Sequence, residues 1–350
     1  MEKFDRKKNN YIQEIEDLKQ SNRRILEQKD VAEERFRQQT TMYEMTMEFV
    51  GKQNNELEKS INKLQTSEKN LSDNLASLQT ILNYVEKQKE EVEKKNTAIM
   101  QSIEYAKRIQ TAILPTQKSI NALLDNSFVF YQPKDIVSGD FYWVNQISGK
   151  TIIIVGDCTG HGVPGAIMAT ITNNLINEVV LQKNTIIANE IIFSLHQAFI
   201  SFFIKSPTVN VDGADISVCV IDKNTQTLTF AGAMHTLMYV QDNEFRTFKG
   251  TSLYLGRKVI EIENASDIET HTIDISIPTM VYLSSDGYYD QFGGDIDYPR
   301  KFMNKRFREL LFNVADKEME DQKRILRDTM AHWKLGAEQT DDMVVFGMRF

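Results

Sequence analysis

The stretch IIIVGDCTGHGVPGAIMA, residues 152–169, joins an apolar run to a glycine-rich turn and then to a helix-forming segment. It contains a G-x-G-x-x-G pattern at Gly160, Gly162 and Gly165, with Asp157 just upstream. A dinucleotide-binding loop needs a strand before it, a helix after it, and a second parallel strand that ends in an acidic residue about twenty positions on. The first two are present, but the residues past Glu178 read as more helix. Pro164 inside the pattern and Asp157 at its mouth also suit a pyrophosphate badly. Attention therefore shifts from the glycines to the aspartate.

The chain has 350 residues and a net charge of −8, enough for one sizeable globular core plus an extended part. Basic and acidic residues nearly balance up to Leu124, so the acidity resides beyond it, which disfavours nucleic acid as the main partner. No apolar run approaches the roughly twenty residues of a membrane span, and the N-terminus MEKFDRKKNN is charged, so a soluble cytoplasmic location is expected. The two cysteines, Cys158 and Cys219, are too few and too far apart for a disulfide framework or a thiolate metal site.

Residues 1–114 contain no proline and one glycine, Gly51, whereas both residue types punctuate everything from Pro115 onward. The first part reads as helix and the second, residues 115–350, as a mixed domain. In the helix, Leu57, Leu64, Leu71, Leu78, Val85, Val92, Ile99, Ala106 and Ile113 recur every seven residues. A second series runs Ile61, Glu68, Leu75, Leu82, Lys89, Asn96, Ile103 and Gln110, its polar members suited to fixing register. So sustained a seam predicts a parallel coiled-coil homodimer in preference to a helix folded back as a hairpin. Phe4, Tyr11, Leu18, Ile25 and Ala32 follow an offset frame, which places a stutter or break before Leu57, near Gly51.

Beyond Pro115, SFVFYQP, TIIIVGD, DISVCVID, TLTFAGA, LMYVQD, FRTFKG, TMVYLSSD and DMVVFGMRF read as strands, with turn signals in DKNTQ and QDNE. Helices are expected over GAIMATITNNLINEVVLQ, IIANEIIFSLHQAFISFF, RFRELLFNVA and MEDQKRILRDTMAHWK. Strands outnumber helices and follow one another as hairpins, which makes an α+β layered domain.

Asp140 in VSGDFYW, Asp157 in IIIVGD, Asp286 in VYLSSDG and the pair Asp341 and Asp342 in QTDDMVVF all stand at a strand edge or beside glycine. A single Asp-Gly is most simply a turn-former. Repetition of one context at distant positions points instead to carboxylates gathered at the end of a sheet. Gathered carboxylates repel unless protons or a divalent cation compensate them, and oxygen ligands suit Mg²⁺ or Mn²⁺ rather than zinc.

PKDIVSGDFYW, GDCTGHGVPGAIMA, VDGADISVCVID, FAGAMH, LSSDGYYDQFGG and QTDDMVVFGMR, in this order, resemble the SpoIIE-type branch of the metal-dependent serine/threonine phosphatases, the PPM superfamily. The likeness spans about residues 126–350, and SIEYAKRIQTAILP resembles the helical lead-in of bacterial members. It implies a β-sandwich flanked by helices, preceded here by the coiled coil, with two Mn²⁺ or Mg²⁺ ions at one end. Asp157 would bridge both ions, with the Cys158 backbone carbonyl as a further ligand. Asp140 would reach the site partly through water. Asp286 and Asp341 match the later metal aspartates, with Asp342 the alternative to its neighbour. His161 belongs to a loop-shaping GHG element, and His235 is assigned no chemistry. The resemblance further implies a phosphorylated protein substrate of the anti-sigma-antagonist STAS type, and an upstream signalling protein docked on the coiled coil.

Rival chemistries fail on spacing. A cysteine phosphatase needs arginine six positions after its nucleophile, where this chain has Pro164 and Thr225. DIDYP at residues 295–299 imitates an aspartyl nucleophile motif but has proline fifth and no apolar strand before it. Lys134 is the nearest base for a substrate phosphate, though an exposed lysine is the simpler reading. The competing function is a non-catalytic coiled-coil scaffold carrying a degenerate phosphatase domain, against which the retained aspartates argue.

Overall fold

A computed structural model of the protein describes residues 1–203, 212–256 and 262–350. Val211, the first residue of the VDGADISVCVID motif, lies outside the described residues. The chain divides into two compact units, Met1–Lys94 and Lys95–Phe350.

The first unit is a single helix, the beginning of α1 (Glu2–Ile113). Its residues are exposed throughout, including the seam residues Leu57, Ile61, Leu64, Leu71 and Leu75. Ion pairs one turn apart, such as Lys52 with Glu48 at 2.9 Å and Lys29 with Glu33 at 3.6 Å, support it locally. Each is worth only a few tenths of a kcal/mol in solvent, about 0.3–0.5. The helix passes through Gly51 without interruption, so the offset between the two heptad frames is a phase shift inside a continuous helix and not a break. Gly51 costs about 1 kcal/mol of helix propensity relative to alanine, too little to end a helix this long. No helix among the described residues is long and apolar enough to cross a membrane.

In the second unit, α1 ends at Ile113 and Pro115 prevents its continuation. A short α2 (Gln117–Asn121), capped by the Thr116 side chain, leads into β1 (Ser127–Gln132), β2 (Asp140–Ile147) and β3 (Lys150–Cys158). Helix α3 (Gly162–Ile176) runs on through a π-helical turn to Gln182 and is followed by α4 (Ala188–Phe203). Strands β4 (Ala214–Asp222), β5 (Thr227–Ala233), β6 (Thr236–Gln241), β7 (Glu244–Lys249), β8 (Thr270–Asp274) and β9 (Thr279–Ser284) come next. The chain closes with α5 (Gly287–Asp290), the small hairpin β10 (Phe292–Gly293) and β11 (Arg300–Lys301), α6 (Asn304–Val314), α7 (Met319–Lys334) and β12 (Met343–Arg349). DIDYP is the tip of that hairpin, with Ile296 and Tyr298 exposed.

Two five-stranded antiparallel sheets, ordered β1-β12-β9-β6-β7 and β2-β3-β4-β5-β8, make a sandwich. Between them pack Ile153, Val155, Cys219, Phe230, Leu283 and Phe346. The outward faces are covered as well. Ile152, Ile154 and Val218 meet Ile191, Leu195 and Phe199 of α4 on one side, while Phe128, Phe130 and Tyr282 meet Phe307, Leu311 and Leu326 of α6 and α7 on the other. A strand buried on both faces needs no alternation, which explains why residues 152–155 read as an unbroken apolar run. Each such side chain removed from water contributes about 1.5–3 kcal/mol. The β6–β7 turn uses Asp242 and Asn243, both at positive φ (53° and 59°), which matches the twist of the flanking strands. The expected α+β sandwich flanked by helices is therefore present, and β2 and β8 are strands that the apolar patterning had not marked.

Candidate metal centre

Strand pairing sets the site. Asp140 on β2 lies directly opposite Asp157 on β3, and Asp157 lies opposite Asp215 on β4. Side chains directly opposite one another emerge on the same face. Asp157 shares parity with Ile153 and Val155, so this row of carboxylates continues the inter-sheet layer where it reaches the open end of the sandwich. The other sheet supplies Asp286, two residues after β9, and Asp341, two residues before its neighbour β12. Asp157, Asp215, Asp286 and Asp341 line one cleft of about 270 Å³, together with His161 and Tyr254. Asp215, which the apolar patterning did not single out, stands two residues past Gly213 at the start of the apolar strand β4.

The glycines hold the loop that covers this end. Gly160 and Gly162 have φ of +89° and +64°, which other residues adopt at a cost. A side chain at Gly139 would run into the carbonyl of Gly160, and one at Gly165 would meet the same carbonyl. The G-x-G-x-x-G pattern thus serves close packing of the loop on the start of β2, beside the carboxylates. His161 lines the cleft with its Nδ1 2.8 Å from Asp135 Oδ2, a half-exposed contact that braces the loop.

Asp140 is 1% exposed and sits behind the cleft. Its Oδ2 accepts a hydrogen bond from Ser285 Oγ at 2.6 Å. Burial first, and then the facing Asp157 charge, push its carboxyl well above the usual carboxylate range. Asp157 is pushed up to about 8 by burial and by the charges of Asp286, Asp341 and Asp215. Asp286, at the cleft rim, is raised by burial and by Asp290 and Asp341, and Lys301 opposes the shift. Lys301 pairs with Asp290 at 2.8 Å.

The two adjacent aspartates differ in surroundings. Asp342 is 3% exposed, and its two oxygens accept hydrogen bonds from Lys134 N and Gly139 N, each at 2.7 Å. Asp341 lines the cleft, and its Oδ1 accepts from Asp342 N at 2.8 Å. The thiol of Cys158 is buried beside Thr172 Oγ1 at 3.5 Å and is pushed up by burial, which leaves its backbone for the cleft. His235 is buried and near Ser217 Oγ at 3.3 Å, and burial pushes its imidazole down to about 4. It does not line the cleft.

Among the described residues no three His, Cys, Asp or Glu side chains are grouped so as to hold a metal ion. The donor set nevertheless fits one kind of ligand. Carboxylates that raise one another's pKa lack a counter-charge, and hard divalent cations with oxygen preference supply it.

Two outcomes follow for the metal-free protein. An aspartate held at about 8 in the folded state, against about 3.9 unfolded, favours the fold when protonated. Its contribution is full below about pH 4 and is lost as pH rises towards 8. The melting temperature is therefore expected to fall between about pH 5 and 8, Mn²⁺ at pH 8 should restore it, and Asp157→Asn should flatten the profile. Scanning calorimetry across that range decides the matter. In the same assay Asp342→Asn should lower stability by about 1–3 kcal/mol, because an amide can accept only one of the two backbone hydrogen bonds. Asp341→Asn should leave metal-free stability unchanged or raise it by relieving repulsion.

The comparisons with known proteins accord with this architecture. Residues 147–350 match the family model described as Stage II sporulation protein E (SpoIIE). The SiaA-PP2C domain of Pseudomonas aeruginosa is similar at 28% identity with a TM-score of 0.65, over 73% of this chain and 98% of that one. The PP2C phosphatase domain and regulatory-domain fragment of SpoIIE from Bacillus subtilis shares the fold at 14% identity and a TM-score of 0.50, over 64% of this chain and 63% of that one. No curated protein sequence matches. With a carboxylate-lined cleft at the end of a helix-flanked sandwich and a family match over more than half its length, the chain belongs to the SpoIIE family of PP2C-type protein serine/threonine phosphatases.

Proposed function

We propose that the protein is a metal-dependent phosphatase that hydrolyses phosphoserine or phosphothreonine on a small regulatory protein in the cytoplasm, under the control of its N-terminal helix. The observation that carries this reading is the row Asp140, Asp157 and Asp215 on one sheet facing Asp286 and Asp341 from the other. Asp157, Asp286 and Asp341 would hold two Mn²⁺ or Mg²⁺ ions together with the Cys158 carbonyl, and Asp140 would support them from behind. Asp341 is the better ligand of its pair, since the oxygens of Asp342 are engaged with Lys134 and Gly139. Bound there, the ions supply an activated water and neutralise charge on the phosphoryl group.

The protein's own groups do the rest. By holding the ions, Asp157 and Asp286 would fix where the phosphoryl group sits, residues 158–161 form one wall of the cleft, and Tyr254 and His161 stand at its lining to meet the substrate. The Cys158 thiol and His235 stay out of the chemistry. A STAS-type phosphoprotein is the substrate class the family resemblance implies, and an upstream protein docked on the helix is the corresponding input. The exposed seam from Leu57 to Ile99 suits a second copy of the chain.

Purified protein should release phosphate from a phosphoserine protein in Mn²⁺ and not in EDTA. Asp157→Asn and Asp286→Asn should each lower this activity by more than about 100-fold, beyond what loss of an outer-shell partner costs, with unchanged circular dichroism. Full activity in either variant would sink the metal assignment. Control through the helix is tested by insertion after Asn96. Two residues rotate the following segment by about 200°, whereas seven restore nearly the same face. The first should change activity strongly and the second little, in proteins that light scattering shows to be dimers. Equal activities would reduce the coiled coil to a dimerisation handle.

A further inference from the structure

The end of α1 carries a buried amide that reaches the strand of Asp140. From Lys95 onward α1 belongs to the same compact unit as the sandwich. There the seam face is covered: Ile103, Ala106 and Ile113 are half-buried and Gln110 is 8% exposed. Gln110 Nε2 donates to Ser138 O at 2.6 Å, and Ser138 N donates to Gln110 Oε1 at 3.1 Å. The side chain thus acts as a strand neighbour for one residue, and the reverse amide orientation would set like groups face to face.

Each main-chain N–H and C=O of residues 138–140 has a partner, and those of Ser138 are both on α1. Ser138 has Gln110 on both its groups. Gly139 N donates to Asp342 Oδ2 at 2.7 Å, and Gly139 O accepts from Cys158 N at 3.3 Å. Asp140 N donates to Ser138 Oγ at 3.0 Å, and Asp140 O accepts from Tyr131 OH at 3.1 Å. Ser138 is wholly buried. Loss of Gln110 therefore removes the partner of two buried backbone groups, those of Ser138, two residues before Asp140.

We propose that Gln110 is a positioning residue through which α1 sets the affinity of the carboxylate cleft for divalent cations. The proposal rests on the metal-phosphatase reading above and names the contact by which its helix would act. Displacement or rotation of α1 moves Gln110, releases Ser138 and lets Asp140 and Gly139 drift from the Asp157 and Asp342 side. By reciprocity, cation binding tightens the Gln110–Ser138 pair.

The chain contains its own control. Gln117 on α2 makes the same two-pronged clamp on β1, with Nε2 donating to Ser127 O at 3.0 Å and Oε1 accepting from Val129 N at 3.2 Å, and neither residue carries a site carboxylate. Calorimetric titration of Mn²⁺ into the metal-free full chain is the test. Gln110→Glu, which sets a carboxylate oxygen against Ser138 O, should raise the Kd for Mn²⁺ about 10–100-fold, the usual cost of losing a group that orients a ligand. Gln117→Glu should leave it within about twofold. In the unaltered chain Mn²⁺ should slow hydrogen exchange at the Ser138 amide, a measurement that needs no folded variant. An unchanged Kd in Gln110→Glu, an equal loss in Gln117→Glu, or unchanged exchange at Ser138 overturns the proposal. Failure of the unaltered chain to bind Mn²⁺ overturns the metal reading itself, and this inference with it.

Discussion

Repulsion among carboxylates on neighbouring strands is the constraint around which this domain is built. Antiparallel pairing brings Asp140, Asp157 and Asp215 into one row, and like charges directly opposite each other weaken a sheet. Three packed layers of apolar side chains hold the row in place regardless. The sandwich supplies far more burial than the row costs, so stability is set in the core and the strained charge is confined to one end.

That division explains the supporting polar groups. Ser285 donates to Asp140, Asp342 gathers the amides of Lys134 and Gly139, and Gln110 completes Ser138. None of these supplies a neutralising charge. They fix the carboxylates and the strand around them in position without neutralising them. The loop follows the same logic, since Gly139 and Gly165 permit contact with the Gly160 carbonyl that a side chain at either would prevent.

The helix links both levels. Through residue 99 its seam is exposed and available to a second helix, and from Ile103 the same face is taken up by the domain. Gln110 continues the series that contains Glu68, Lys89 and Asn96, polar residues that in a coiled coil specify register. In the domain this polar residue of the series clamps Ser138, two residues before the strand that carries Asp140.

Much of this was legible in the sequence because burial writes itself into composition. The runs IIIV within TIIIVGD and MVYL within TMVYLSSD are unbroken because both faces of their strands are covered, and the absence of proline before Pro115 marks the helix. Strand β2, DFYWVNQI, escaped because its mixture of aromatic and polar residues shows neither a run nor a clean alternation, and β8, THTID, is short and at a sheet edge. The aspartates could be named from their repeated context, but their roles depend on pairing register, which joins positions up to 75 residues apart across Asp140, Asp157 and Asp215. Likewise, the resemblance favoured Asp341 in QTDDMVVF with Asp342 as the alternative, and the tertiary fold gives Asp342 two backbone amides and leaves Asp341 facing the cleft. Sequence determined which residue types were present and what each segment could become. Proximity decided which carboxylate meets which amide, because hydrogen bonds and charge repulsion act over a few ångströms and only folding brings residues 110, 138 and 342 that close.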